Sequence, residues 1–186
     1  RRAAQPARAE AHPEGGQAVI VISPERLLAE QADATYTQAA VQEAWKTAHR
    51  MLRAELLRPE VARVLVMVGP SGSGKTTWLA EQPEDPNLVA FDAVFSDRAR
   101  RVGIAKRIRD AGKLPVAVAL VAPLAVCLDR NAARPPNRRV PEAALRRAWG
   151  ELQRWPVGAD EGWSQVLWVA GERPLGERVR SFPWDR

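Results

Sequence analysis

The stretch RVLVMV at residues 63–68 runs directly into GPSGSGKT at residues 69–76. Six apolar-rich residues without polar alternation read as a strand buried on both faces. The glycines that follow let the backbone wrap closely around an anion, with successive N–H groups turned inward as a nest. A helix opening at Gly74-Lys75 adds its N-terminal dipole to the same point. In this pattern Lys75 reaches the β and γ phosphates and the Thr76 hydroxyl coordinates Mg²⁺. The four fixed positions arise by chance in well under about one in a hundred chains of this length, which sets aside a plain Gly-Ser turn. Gly69, Ser71, Gly72, Ser73, Gly74, Lys75, Thr76 and Thr77 are therefore the expected nucleotide-binding residues, with ATP and Mg²⁺ as the expected ligands.

Outward from this motif, apolar strands alternate with helical patterns. NLVAFD (87–92), LPVAVALV (114–121) and SQVLWVA (164–170) read as further strands. Helices are predicted over 75–82, 97–111, 123–133 and 142–155, the second capped by Asp97 and stopped by Gly112. Upstream, AVIVI (18–22) reads as a short strand and Ser23-Pro24-Glu25 as a helix start. Over 37–57, Val41, Trp45, Ala48, Leu52 and Leu56 recur at three- and four-residue steps, the pattern of a core-facing helix. Such alternation predicts an α/β fold, a three-layer P-loop NTPase sandwich with a parallel sheet covered by helices on both faces. The expected organisation is a lead-in over 1–17, an extension over 18–60, the P-loop domain over 61–171 and a tail over 172–186.

The 186 residues are enough for one domain with a real core. No stretch approaches about 18 uninterrupted apolar residues, so no transmembrane helix and no membrane partner are expected. The chain opens Arg1-Arg2 without Met, so a piece of a longer protein is the expectation. The single cysteine, Cys127, excludes an internal disulfide and a cysteine metal cluster, and a reducing cytoplasm is the expected setting. A net charge of +6, rich in arginine, favours anionic partners, either nucleotide or nucleic acid. A high-GC genome gives the same balance, so composition alone does not decide.

No Asn/Thr-Lys-x-Asp motif is present for reading guanine, and the second strand ends Phe91-Asp92-Ala93 without the adjacent glutamate of motor ATPases. An arginine-rich loop between two helices, with Arg130, Arg134, Arg138 and Arg139, is instead what a phosphotransferase lid requires. It closes over the nucleotide, excludes water and sets guanidinium groups on the moving charge.

The segment APLAVCLDRNAARPPNRRVPEAALRRAWGELQ (122–153) resembles the lid region of the polynucleotide 5′-hydroxyl kinase family. There a helix ends Arg-Asn, a basic lid follows, and Val-Pro opens the next helix. Glu161-Gly162-Trp163 is similar to a Glu-Gly-Phe ahead of that family's last strand. The resemblance covers about residues 63–170 and is shared with zeta-toxin-like kinases, so it leaves the acceptor class open. It implies γ-phosphate transfer from ATP to a hydroxyl, with a nucleic-acid 5′ end as one acceptor. It also implies Lys75 and Arg134 as catalytic residues and Arg138 or Arg139 as a second lid contact.

The chain departs from that family on the acceptor side. Its members carry an Asp-x-x-Arg on the strand after the P-loop helix, and only one aspartate-ended strand stands here where they have two. Either Asp92 is the general base, with Arg98 or Arg101 replacing the displaced arginine, or that strand is deleted and Asp92 serves Mg²⁺ through water. The alternatives to a polynucleotide kinase are a small-molecule or toxin-type kinase and a nucleotide-binding module of a larger assembly with little catalysis. Among the tryptophans, Trp45, Trp78, Trp149 and Trp168 read as core, while Trp155 and Trp163 flank the loop nearest the expected adenine pocket.

Overall fold

A computed structural model describes residues 19–30 and 37–170; the expected lead-in and tail lie outside the described residues. The chain runs β1 (Ile20–Ile22), α1 (Pro24–Ala29), α2 (Gln38–Leu56), β2 (Arg63–Val68), α3 (Lys75–Ala80), β3 (Leu88–Asp92), α4 (Arg98–Asp110), β4 (Leu114–Val121), α5 (Leu124–Ala132), α6 (Glu142–Arg154) and β5 (Gln165–Ala170). The five strands form one all-parallel sheet in the order β1-β3-β2-β4-β5. This is the α/β architecture that the alternation predicts.

Period-two alternation divides the strand side chains between two cores. Val64, Val66 and Val68 of β2 face the same way as Phe91 and Ala117, and Ala48, Leu52 and Leu56 of α2 with Ile104 and Ile108 of α4 cover them. Leu65 and Met67 face the other way, with Ala90 and Val118, beneath Trp78 and Leu79 of α3. Helix α2 buries Ala44, Ala48, Leu52 and Leu56 in one row of four-residue steps. Trp45 is half-buried and packs its ring against Phe91 and Phe95, and Val41 is half-buried as well. The expected caps form: Ser23 Oγ accepts from Arg26 N, and Asp97 Oδ1 accepts from Arg100 N at 2.7 Å.

Two features of the strand order matter for the site. Strand β2 lies between β3 and β4, so the chain leaves it in one direction and returns past it in the other. Such a reversal opens a crevice beyond the carboxyl ends of the strands. Strand β1, from upstream of the glycine-rich loop, pairs with the outer edge of β3 through Ile22↔Phe91. No described helix is long and apolar enough to cross a membrane.

Trp168 corrects the expectation of a core residue. It lies on the edge strand β5 and is 56% exposed, because the strand has a neighbour on one side only. Leu52→Ala, which removes a fully buried side chain joining α2 to the sheet, should lower stability by about 2–5 kcal/mol in chemical denaturation.

Candidate phosphate-binding site

The glycine-rich loop leaves β2 at Gly69, whose N–H donates to Val94 O at 3.1 Å in the turn after β3. Gly72 has a φ of 84°, and a Cβ there would lie 2.6 Å from the Cys127 carbonyl of α5, so the position is closed to any side chain. Gly74 also takes a left-handed conformation, φ 99°, as the N-cap of α3. Lys75 is 6% exposed, and its Nζ donates to the loop's own carbonyls, Gly69 O at 2.8 Å and Pro70 O at 3.0 Å. The Ser73 hydroxyl is buried inside the loop and has no hydrogen-bond partner. A buried hydroxyl without a partner and an ammonium held on carbonyls beside it are groups that an anion could recruit.

Thr76 stands on the first turn of α3, and its Oγ1 donates to Asp92 Oδ2 at 3.0 Å. The pairing follows from register: Met67 at the end of β2 is level with Asp92 at the end of β3. Asp92 is 5% exposed. Past it the chain turns through Phe95, a non-glycine residue at φ 45°, which costs on the order of 1–3 kcal/mol. Burial of that ring against Trp45 and Phe91 offsets the cost and keeps Val94 O aimed at Gly69.

From the other side, Arg130 Nη1 of α5 donates to Gly72 O at 3.1 Å. Asn131, beside it, clamps the base of the arginine-rich loop by two bonds, Nδ2 to Val140 O at 2.8 Å and Oδ1 from Val140 N at 3.0 Å. The Arg-Asn and Val-Pro pairs thus meet to close a loop on which Arg138 and Arg139 are exposed. Arg139 Nε donates to Arg134 O, and Arg134 is half-buried. Thr77 is exposed on α3. The structure therefore brings Lys75, Thr76, Asp92 and Arg130 together around the glycine-rich loop, with the other arginines on the adjoining loop.

The two arginines considered for an acceptor role are engaged elsewhere. Arg101 is fully buried and pairs with both oxygens of Glu161, at 2.6 and 2.8 Å. It also donates to the carbonyls of Phe95, Ser96 and Trp155. Trp163 Nε1 completes the coordination of Glu161 at 3.0 Å, which gives Glu161-Gly162-Trp163 a structural reason. Arg98 pairs with Asp160 at 2.6 Å at the surface. Burial raises the Cys127 thiol above its usual range, and burial with Arg107 and Arg100 nearby lowers His49.

A cavity of about 250 Å³ adjoins the loop at Pro70, between the ends of β2 and β4 and the helix α6. Trp149 and Trp168 line it, whereas Trp155 and Trp163, the tryptophans expected near a base, do not. Trp149 is half-buried on α6, whereas strand periodicity placed Trp168 in the core because a period does not record where a sheet ends. A scan against protein-family models and a search of curated proteins give no match to this chain.

The Arg101–Glu161 pair supplies a prediction. Glu161→Gln, which leaves a buried guanidinium without its counter-charge, should cost about 3–5 kcal/mol in denaturant unfolding. Arg98→Ala at the exposed pair should cost less than about 1 kcal/mol.

Proposed function

We propose that this chain binds Mg·ATP at residues 69–76 and transfers its γ-phosphate to a hydroxyl, as a P-loop kinase resembling the polynucleotide 5′-hydroxyl kinases. The observation that carries the reading is the hydrogen bond from the hydroxyl of the exposed Thr76 to the buried Asp92, beside a loop whose lysine is folded onto carbonyls. A hydroxyl and a carboxylate side by side at the end of that loop support a metal on a loop-bound phosphate. Thr76 Oγ1 would hold Mg²⁺ directly and Asp92 through a water, and the ion neutralises charge on the phosphate oxygens. Among the described residues there is no cluster of three or more His, Cys, Asp or Glu that could hold a metal. A Mg²⁺ with two protein groups is in keeping with this, since the ion usually keeps water and phosphate in its remaining positions.

In this mechanism Lys75 Nζ leaves Gly69 O and Pro70 O for the β and γ oxygens. The loop N–H groups and Ser73 Oγ hold the β-phosphate, and Arg134 with Arg138 or Arg139 closes over the transferring group. The acceptor oxygen forms a bond to Pγ as the bond from Pγ to the bridging oxygen breaks, and ADP leaves. Asp92 takes the acceptor's proton through the carboxylate oxygen not bonded to Thr76.

A second reading rests on a specific observation. Arg101 is sequestered by Glu161, and the sheet edge beside β3 is filled by β1, a strand from upstream of the glycine-rich loop. These features favour a nucleotide-binding module of a larger assembly. One assay separates the two readings. The chain is incubated with γ-labelled ATP, Mg²⁺ and a 5′-hydroxyl oligonucleotide, beside Lys75→Ala and Asp92→Asn. Kinase activity should give labelled oligonucleotide, reduced at least about a hundredfold in both variants. Mg·ATP binding without transfer to the oligonucleotide or to small hydroxylated acceptors would leave the module; absence of ATP binding would remove both readings.

A further inference from the structure

We infer that the cavity between the ends of β2 and β4 takes the adenine base of the nucleotide whose phosphates lie on the glycine-rich loop. The inference rests on the phosphate-binding reading above and adds the residues that recognise the base.

Position is the first argument. Strands β2 and β4 are adjacent in the sheet, yet β3 separates them in sequence, so the cavity lies at the point where the strand order reverses. Pro70, the second residue of the glycine-rich loop, forms part of its wall. The pair that would hold the metal, Thr76 and Asp92, lies on the opposite side of β2, toward β3. A phosphate chain with its terminal group at Asp92 therefore points its other end across β2 toward β4 and β5, where the cavity opens.

The chemistry of the wall is the second argument. No lining side chain is charged, so a phosphate or an ionised metabolite would be desolvated there without a partner. Two indole rings, Trp149 and Trp168, offer flat apolar faces. The Trp149 N–H is already spent on Ala122 O at 3.1 Å, so what this residue offers is its ring. Trp168 exposes 56% of its surface on the edge strand, a large apolar area that a stacked base would cover. Gln153 supplies a side-chain amide, which presents a donor and an acceptor together and matches the N6/N7 edge of adenine. A volume of about 250 Å³ suits one ring system and is too small for a drug-sized ligand.

Calorimetric titration of the whole chain with Mg·ATP and, separately, with Mg·tripolyphosphate tests this. Trp168→Ala should weaken ATP about tenfold and leave tripolyphosphate unchanged, and Trp168→Phe should recover most of the loss. Gln153→Leu should reduce the preference for ATP over GTP while sparing tripolyphosphate. If tripolyphosphate binds both proteins and Trp168→Ala leaves ATP affinity unchanged, the base site is overturned and the phosphate site stands. If tripolyphosphate does not bind the unaltered chain, the phosphate reading falls and the base site with it.

Discussion

The hydrogen bond from Thr76 to Asp92 joins a helix and a strand end sixteen residues apart, and it depends on β2 and β3 being parallel neighbours. Parallel strands put their carboxyl ends at one edge of the sheet, so whatever follows each strand meets its neighbours there. The glycine-rich loop follows β2, the Phe95 turn follows β3, and α5 with its Arg130 follows β4. Each is tied to the loop by a contact: Gly69 to Val94, Thr76 to Asp92, and Arg130 to Gly72. If β3 were displaced from β2, the loop would lose two of these three anchors.

Much of the fold was legible because its signals are local. Continuous apolar runs mark strands that are buried on both faces, and Gly112 and Asp97 mark a helix end and a helix start that the structure keeps. The loop was legible for the same reason, since a glycine that must pass close to Cys127 leaves a visible trace at Gly72. Strand order was not legible. Nothing within Ile20–Ile22 records that these residues pair with β3 across the whole of α2, because pairing partners are chosen by tertiary packing. Arg101 shows the same limit: on a helix of mostly exposed arginines, its counter-charge Glu161 lies sixty residues away. Periodicity placed Trp78 and Trp45 correctly and misplaced Trp168, which alternates correctly yet sits where the sheet ends.

The molecule is uneven across β2. Toward β4 it offers a loop, a clamped arginine-rich segment and an apolar cavity with a glutamine. Toward the outer edge of β3 it is closed, with β1 paired along the strand and the aromatic rings of Trp45, His49, Phe91 and Phe95 packed together below Asp92. On the proposed reading this gives a well-built donor side and leaves the acceptor to approach Asp92 from above the sheet. The buried Arg101–Glu161 pair then holds the turn after Asp92 by the carbonyls of Phe95 and Ser96. Its charge is unavailable to substrate, but it fixes the backbone that carries Asp92.

The central claim concerns what Lys75, Thr76 and Asp92 do when a nucleotide is present. It is tested most directly by a crystal structure of the chain with Mg²⁺ and a non-hydrolysable ATP analogue. The expected result has Lys75 Nζ moved from the Gly69 and Pro70 carbonyls onto phosphate oxygens. It also has a metal at about 2.0–2.1 Å from Thr76 Oγ1, with Asp92 reaching it through one water. A nucleotide bound elsewhere, with Lys75 still on its own loop and no metal at Thr76, would contradict it.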